Sequence, residues 1–419
     1  MSTADATATQ SAGHQAGHQS GPSRRTEWTT LTIVSTVHLV SHFYWLVLVP
    51  LLPALNKLLG VSYVKLGFAI TLANVVSALT QAPVGFMVDR FGARLLLAIG
   101  VLLGAAGFLL VGLFPSYWML LFAAVLIGLG NAVYHPADFS ILSAEMSKSF
   151  MGRAYAIHGF MGYAGFAAAP PIVLLLNWYG GVQFALIISA IIGLVLSLPL
   201  LPGLFSERRA AKTPTPSAAF RAKTPASALL TPAVLALTAM FTMLSLSTAM
   251  IQTYMVPALT AMSGFAQSVG ETALAVFPFA VMVGVLSGGF VADKVRHQSY
   301  VAAAGFGMAA VLVVAIAALT PSPAVTIAML ALAGFLAGII MPSRDLLVRN
   351  AAPPDAVGRI FGIVTTGFNF GGIIGPLVGG VLIDHKMPVW IFYGSAMFMV
   401  VTVIIALAVD RRTDIPADR

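Results

Sequence analysis

The sequence predicts an all-α integral membrane protein: twelve transmembrane helices in two pseudo-symmetric six-helix bundles. Composition makes the first argument. Hydrophobic residues form 58% and charged residues 9% of the 419, where soluble domains carry about 25% charged. A water-soluble chain of this length could not cover so much apolar surface. Repetition makes the second argument. Gly85-Phe-Met-Val-Asp-Arg-Phe-Gly-Ala-Arg94 sits between two apolar stretches, and its Gly-x-x-x-Asp-basic core returns 204 residues later as Gly289-Phe-Val-Ala-Asp-Lys294. The third argument is the sorting of basic residues along the chain, which fixes an orientation.

Residues 1–27 hold Ala, Ser, Thr, Gln and Gly and lack the apolar core of a signal peptide, so a disordered cytoplasmic tail is expected. His14 and His18 stand in its repeated Ala-Gly-His-Gln. They could bind a metal weakly or stay solvated. A membrane span needs about 20 mostly apolar residues. Residues 28–202 supply six, at 30–55, 66–88, 94–114, 117–143, 153–177 and 181–201. The first carries two histidines, the second ends at the Gly85 motif, the fourth contains Pro136, and the fifth opens on Gly152-Arg153 and contains Pro170. Residues 203–230 break the pattern with Glu207, Arg208, Arg209, Lys212, Arg221 and Lys223 among Pro, Ser and Ala, which reads as a cytoplasmic linker. Residues 231–410 supply six more spans, at 231–258, 269–291, 299–319, 324–347, 358–382 and 388–409, before a tail at 411–419.

Lys and Arg accumulate in cytoplasmic loops. With the N-terminus cytoplasmic, only Lys57, Lys65 and Lys386 of the 22 Lys and Arg fall on the opposite side. The net charge of +8 is therefore a topology signal, and no nucleic-acid partner is implied. Both termini and the linker are expected in the cytoplasm of a bacterial inner membrane. The absence of Cys removes disulfide and thiolate chemistry. The repeat also extends past the loop motif. Gly152-Arg153 matches Gly358-Arg359, Pro136 matches Pro342 and Pro170 matches Pro376, each 206 residues apart. Duplicated halves in an apolar chain are the construction of secondary transporters, with the solute held where the repeats meet.

Twelve spans in two halves, with Gly-x-x-x-Asp-Arg-x-Gly-x-Arg after the second and a degenerate copy after the eighth, resemble the major facilitator superfamily. The resemblance covers nearly all of residues 28–412. Within that superfamily, Gly130-Asn-Ala-Val-Tyr-His-Pro136 is similar to the fosmidomycin-resistance-type exporters. The resemblance implies two six-helix bundles that rock about a central site. It also implies that Asp89, with Arg90 beside it, latches the first half to the eleventh helix when the cytoplasmic side is closed. Gly85, Gly92, Arg94 and Arg153 belong to the same face, with Gly289, Asp293, Lys294 and Arg359 as the second-half counterparts. Gly85 would let helices approach and Gly92 would adopt backbone angles closed to other residues. The second-half copy lacks the second Gly, and Arg296 stands near its place.

Polar residues inside apolar spans are expensive and mark function. His38 and His42, spaced i, i+4, share a face of the first span. Asn131, Tyr134, His135 and Asp138 lie in the fourth, and His158 in the fifth. Imidazoles titrate near neutrality, so these groups form a candidate proton-coupling site. Alternatives are histidines that cap backbone carbonyls and pack helices, or a metal-ion site. In the second half, Gln252, Tyr254, Arg344 and Asn369 are candidates for solute contact. Arg344 is related to Asp138 by the 206-residue repeat. It could pair with Asp138 as an inter-domain gate in the cytoplasm-closed state, serve an anionic solute, or mark the helix end.

The fifth and eleventh spans are rich in small residues: Gly159, Gly162 and Gly165 before Pro170, then Gly367, Gly371, Gly375-Pro376 and Gly379. The second set resembles the Gly-x-x-x-Gly-Pro-x-x-Gly-Gly signature of proton-coupled exporters. No phosphate-binding Gly-Lys-Ser loop occurs, which argues against an ATP-driven pump. The expected function is secondary active transport of a small organic solute by alternating access, as proton-coupled export of a drug or metabolite. Proton-coupled uptake of an organic acid or nutrient is the alternative, and a membrane-embedded enzyme or metal-ion carrier built on the His cluster is the alternative of another class. No cofactor is expected. The partners are the solute, protons and the lipid bilayer, and the chain is expected to work as a monomer.

Overall fold

The computed structural model describes residues 24–147, 150–200, 230–295, 297–352 and 357–413. Every regular element among them is a helix. The first is α1, Arg24–Leu46, so helix replaces the last residues of the expected tail. A local anchor explains the early start. The Ser147 backbone N–H donates to the buried Glu27 carboxylate at 2.7 Å, and Arg24 lies 3.7 Å from the same carboxylate. The hydrogen bonds from Ser147 hold the Glu27 carboxyl below the usual carboxylate range. Trp28 packs on Phe150 with ring centroids 5.0 Å apart. The beginning of α1 is thus tied to the segment that follows α5, Tyr117–Glu145.

The first predicted span is not one helix. It divides into α1 and α2, Leu52–Leu59, joined by a turn. Pro50 and Pro53 lack backbone N–H groups and cannot continue an i to i−4 ladder. The fifth and sixth spans both lie within α6, Met151–Leu196, as two helical segments that meet at a kink. Inside it Gly181 has φ 78° and ψ −179°, a conformation reserved for glycine, and the helical path breaks there. The remaining helices follow the sequence closely. They are α3 Tyr63–Phe91, α4 Ala93–Leu113, α7 Pro232–Ser263, α8 Gln267–Lys294, α9 Gln298–Leu319, α10 Pro323–Ala351, α11 Val357–Asp384 and α12 Val389–Thr413. Ten helices among the described residues, α3 through α12, are long and apolar enough to cross a membrane. The linker expected at 203–230 falls almost wholly outside the described residues.

Packing repeats between the two parts of the chain. Before residue 201, α1 packs on α6, α3 on α5, and α4 on α5 and α6. After residue 229, α7 packs on α11 and α12, α10 on α8 and α9, and α9 on α12. Two seams join the parts, α3 against α11 and α6 against α8. Glycine makes several of these contacts possible. A Cβ at Gly165 of α6 would strike the Leu39 carbonyl of α1, and one at Gly367 of α11 would come within 2.5 Å of the Thr238 carbonyl of α7. Small residues bring backbones close enough for dispersion to replace the hydrophobic drive that lipid cannot supply. The outward faces are apolar, and Trp178 and Tyr179 are exposed at the Gly181 break, where amphipathic rings suit a membrane interface.

Candidate functional site

The two parts enclose a cavity of about 740 Å³. From the first part its wall includes His42 on α1, Asn74, Ser77 and Gln81 on α3, Asn131 and His135 on α5, and Tyr163 and Phe166 on α6. From the second part come Gln252 on α7, Arg344 on α10 and Asn369 on α11. Six of the predicted residues therefore converge on one space: His42, Asn131, His135, Gln252, Arg344 and Asn369. No carboxylate is among the described residues lining it, and Arg344 is the one Lys or Arg.

Behind the wall lies a second layer. Asp138 is fully buried, and His38 and His158 are nearly so. His38 Nδ1 is 3.0 Å from Asp138 Oδ2, and His158 Nε2 is 3.6 Å from the same oxygen. The i, i+4 spacing on α1 places the His42 ring centroid 4.6 Å from that of His38, while His135 of α5 lies 5.3 Å from His38. A chain of imidazoles thus runs from the cavity surface to a carboxylate that the cavity does not reach. Space for it comes from α6. A Cβ on Gly162 would lie 2.8 Å from His38 Nε2 and 3.1 Å from His42 Nε2. Asp138 Oδ1, His158 Nδ1 and His42 Nδ1 have no hydrogen-bond partner among the described residues. Burying a lone carboxylate is costly, whereas a carboxylate that shares a proton with an adjacent imidazole carries much less net charge.

The same groups invite a metal. His38, Asp138 and His158 each place one possible ligand atom within 4.8 Å of the others. The ring geometry opposes it. An imidazole lone pair lies in the plane of its ring, and the rings of His38 and His158 are stacked 3.8 Å apart with only 25° between their planes. Nearly parallel planes do not converge on a single nearby ion, so this arrangement does not fit a shared metal.

Arg344 is held on both sides. Its guanidinium carbon lies 4.7 Å from the Phe241 ring centroid and 5.0 Å from that of Phe368, and its Nε and Nη2 donate to Asp345 Oδ1, each at 2.9 Å. Cation–π contacts and a neighbouring carboxylate keep the charge fixed at the cavity wall. The pair expected with Asp138 concerns the cytoplasm-closed state. In this structure Asp138 faces His38 and His158, and Arg344 faces Asp345. Two other predicted residues stand away from the cavity. Tyr134 is buried in the first part with its hydroxyl unpartnered among the described residues. Tyr254 bridges helices, donating to the Pro376 carbonyl at 2.5 Å.

The loop motif is described only in part. The side chains of Asp89, Asp293 and Arg359 lie outside the described residues. Gly92 joins α3 to α4 with φ 96°, as expected for a position closed to other residues. Gly85 differs from the expectation of close approach, since a Cβ there would meet nothing within 4 Å among the described residues, and the same holds at Gly289. At the neighbouring Gly288 of α8, in contrast, a Cβ would strike the Ile339 carbonyl of α10. Arg94 Nε donates to the Leu200 carbonyl at 2.7 Å, tying α4 to the end of the sixth span. Arg90, Arg153 and Lys294 are exposed. Sequence reasoning missed Asn74, Ser77 and Gln81, although polar residues at i, i+3 and i+7 of an apolar helix were a readable signal. Asn131 Nδ2 donates to Ser77 Oγ at 2.9 Å, fixing one side of that face.

Comparison with known proteins agrees with this architecture. The family model for the Major Facilitator Superfamily matches residues 34–343 and 242–419. The chain is 25% identical over 365 residues to the fosmidomycin resistance protein of Escherichia coli (strain K12), covering 86% of this chain and 88% of the relative. It is 26% identical over 168 residues to the probable nitrate transporter NarT of Staphylococcus carnosus (strain TM300), covering 39% and 43% of the two chains. A crystal structure of a bacterial homologue of the human lysosomal transporter Spinster, inward-facing and occupied, superposes with a TM-score of 0.72 at 16% identity over 91% of this chain and 96% of that one. The chain belongs to the Major Facilitator Superfamily, with the multi-pass membrane fold of its transporters.

Proposed function

We propose that this chain is a proton-coupled exporter of a small organic solute, working by alternating access in a bacterial inner membrane with both termini cytoplasmic. Counting α1 with α2 as one crossing and α6 as two, divided at Gly181, gives twelve crossings in two six-helix bundles, bounded as the sequence suggests at 28–202 and 231–410. The observation that carries the reading is the two-layer site. His42 and His135 face the cavity, and His38 connects them to the buried Asp138. Proton exchange at Asp138 therefore has a short path to the space that the solute occupies. Relay groups of this kind are what intramembrane acids and histidines usually provide.

The cavity wall favours a solute with an anionic or hydrogen-bonding group. Its one Lys or Arg among the described residues is Arg344, whose ion pair with Asp345 an anionic group would share, and amides and hydroxyls on several helices offer directional contacts. An organic cation would enter without a carboxylate to meet it. The resemblance to a fosmidomycin resistance protein makes labelled fosmidomycin the first probe. Purified protein in proteoliposomes should give counterflow: unlabelled solute inside accelerates influx of labelled solute, because a carrier reorients faster when loaded. Uptake that ignores internal solute would point to a channel and overturn the proposal. A thermal-shift screen of small organic anions in detergent widens the search beyond that probe.

A further inference from the structure

The hydrogen bonds described between the two parts gather at one end of α3. Both carboxylate oxygens of Asp384, the last residue of α11, accept backbone N–H bonds from the first two residues of α3. Tyr63 donates to Oδ1 at 2.9 Å and Val64 to Oδ2 at 2.8 Å. The first N–H groups of a helix have no partner within it, and they form the positive end of its dipole. They are ordinarily satisfied by a cap a few residues away. Here Ser62 Oγ accepts only from Lys65, at 3.4 Å, and a residue 321 positions distant supplies the rest. A local cap steadies a helix. A remote cap also ties that helix to whatever carries the carboxylate.

Neighbouring contacts reinforce the tie. The Tyr254 hydroxyl of α7 lies 3.4 Å from the Tyr63 carbonyl while bonding Pro376 of α11, and Thr71 Oγ1 donates to the Ile373 carbonyl at 2.7 Å. The backbones meet because glycines face each other's helices. A Cβ at Gly380 would lie 2.8 Å from the Tyr63 carbonyl oxygen, and one at Gly67 would strike the Pro376 carbonyl. The start of α3 lies across the membrane from the start of α1, so this seam closes the face opposite the N-terminus.

We infer that Asp384 is the latch of that outer face, a positioning residue that sets how often the cavity is closed to the outside. The inference rests on the alternating-access reading, under which this seam must part in every cycle. Its design suits that demand. Asp384 is exposed, so its contact with the α3 terminus is moderate in strength and breaks without stranding a buried charge. Helices α3 and α11 run antiparallel. The latch implied for Asp89, near the end of α3, would meet the start of α11 on the cytoplasmic face. Asp384, at the end of α11, meets the start of α3 on the other. The two acids would then act as reciprocal latches, one engaged while the other is free.

The chain has no Cys, so spin labels go only where they are introduced. Full-length protein in nanodiscs, labelled through Leu58→Cys with Met387→Cys for the outer face and Phe91→Cys with Tyr300→Cys for the inner, reports both openings under acid and alkaline conditions. Asp384→Ala should lower the ratio of short to long outer distances about fivefold, the scale of a lost helix cap. It should shorten the inner distances to match. Asp384→Asn keeps a side-chain acceptor but no charge and should fall between Ala and the parent. Gly380→Val should open the outer face by a separate, steric route, which covers the case in which Asp384→Ala fails to fold. Parent protein that switches between the two distance sets, with Asp384→Ala and Asp384→Asn unchanged from it, would overturn the latch alone, whatever Gly380→Val does. Parent protein whose distances stay fixed under both conditions while Gly380→Val also leaves them fixed would overturn the alternating-access reading beneath it.

Discussion

Asp138 has an unusual setting for a carboxylate in a membrane helix. It is sealed from the cavity, yet 3.0 Å from one imidazole and 3.6 Å from another. Removing its charge tests its part in coupling directly. Asp138→Asn should reduce proton-driven transport by about tenfold or more, because an amide cannot take up or release the proton. Counterflow, which needs no net proton movement, should persist in the same protein. The cavity-facing histidines should behave differently. His42→Gln and His135→Gln should each shift the pH profile of transport while leaving some coupling, since either imidazole reaches His38. Wild-type pH profiles in both would remove them from the path. Much of this site was legible in the sequence, because a histidine or carboxylate within an apolar helix stands out at once and i, i+4 spacing puts His38 and His42 on one face. Their division into a cavity layer and a buried layer was not, since it depends on how α6 packs and on the room left at Gly162.

Hydropathy locates membrane crossings well, but backbone detail less so. It reads composition over windows of about 20 residues, so it missed the turn that splits the first span at Pro50 and Pro53, while the division expected between the fifth and sixth spans matches the break at Gly181. It is equally blind to contacts such as Asp384 on α3, which require knowing that two helices 321 residues apart lie side by side. Glycines in α6 give the element scale a test with two signs. Gly165→Val should drive a side chain into the Leu39 carbonyl and destabilise the protein by about 1–3 kcal/mol, the usual cost of overpacking. Gly159→Ala meets nothing within 4 Å. It should be neutral or stabilise the helix by about 0.5–1 kcal/mol. Thermal unfolding in detergent measures both, and a similar loss for the two would mean that helix packing does not depend on the close approach of α1 and α6.

At the scale of the whole molecule, both parts of the chain line one cavity, and the buried Asp138 with its histidines, the proposed coupling layer, lies in the first part alone. Arg344 stands across the cavity in the second part, so on the proposed reading the proton site and the cationic wall must communicate through the solute space. A carrier built this way should move the two in fixed proportion. The most direct test follows proton and solute together in proteoliposomes. Wild-type protein and Asp138→Asn are loaded with a solute that shows counterflow and carry a pH-sensitive dye. If the two-layer site couples transport, solute efflux through the wild type should drive opposing proton movement, and Asp138→Asn should exchange solute without it. Solute efflux through the wild type with no proton movement, or proton movement undiminished in Asp138→Asn, would contradict that claim.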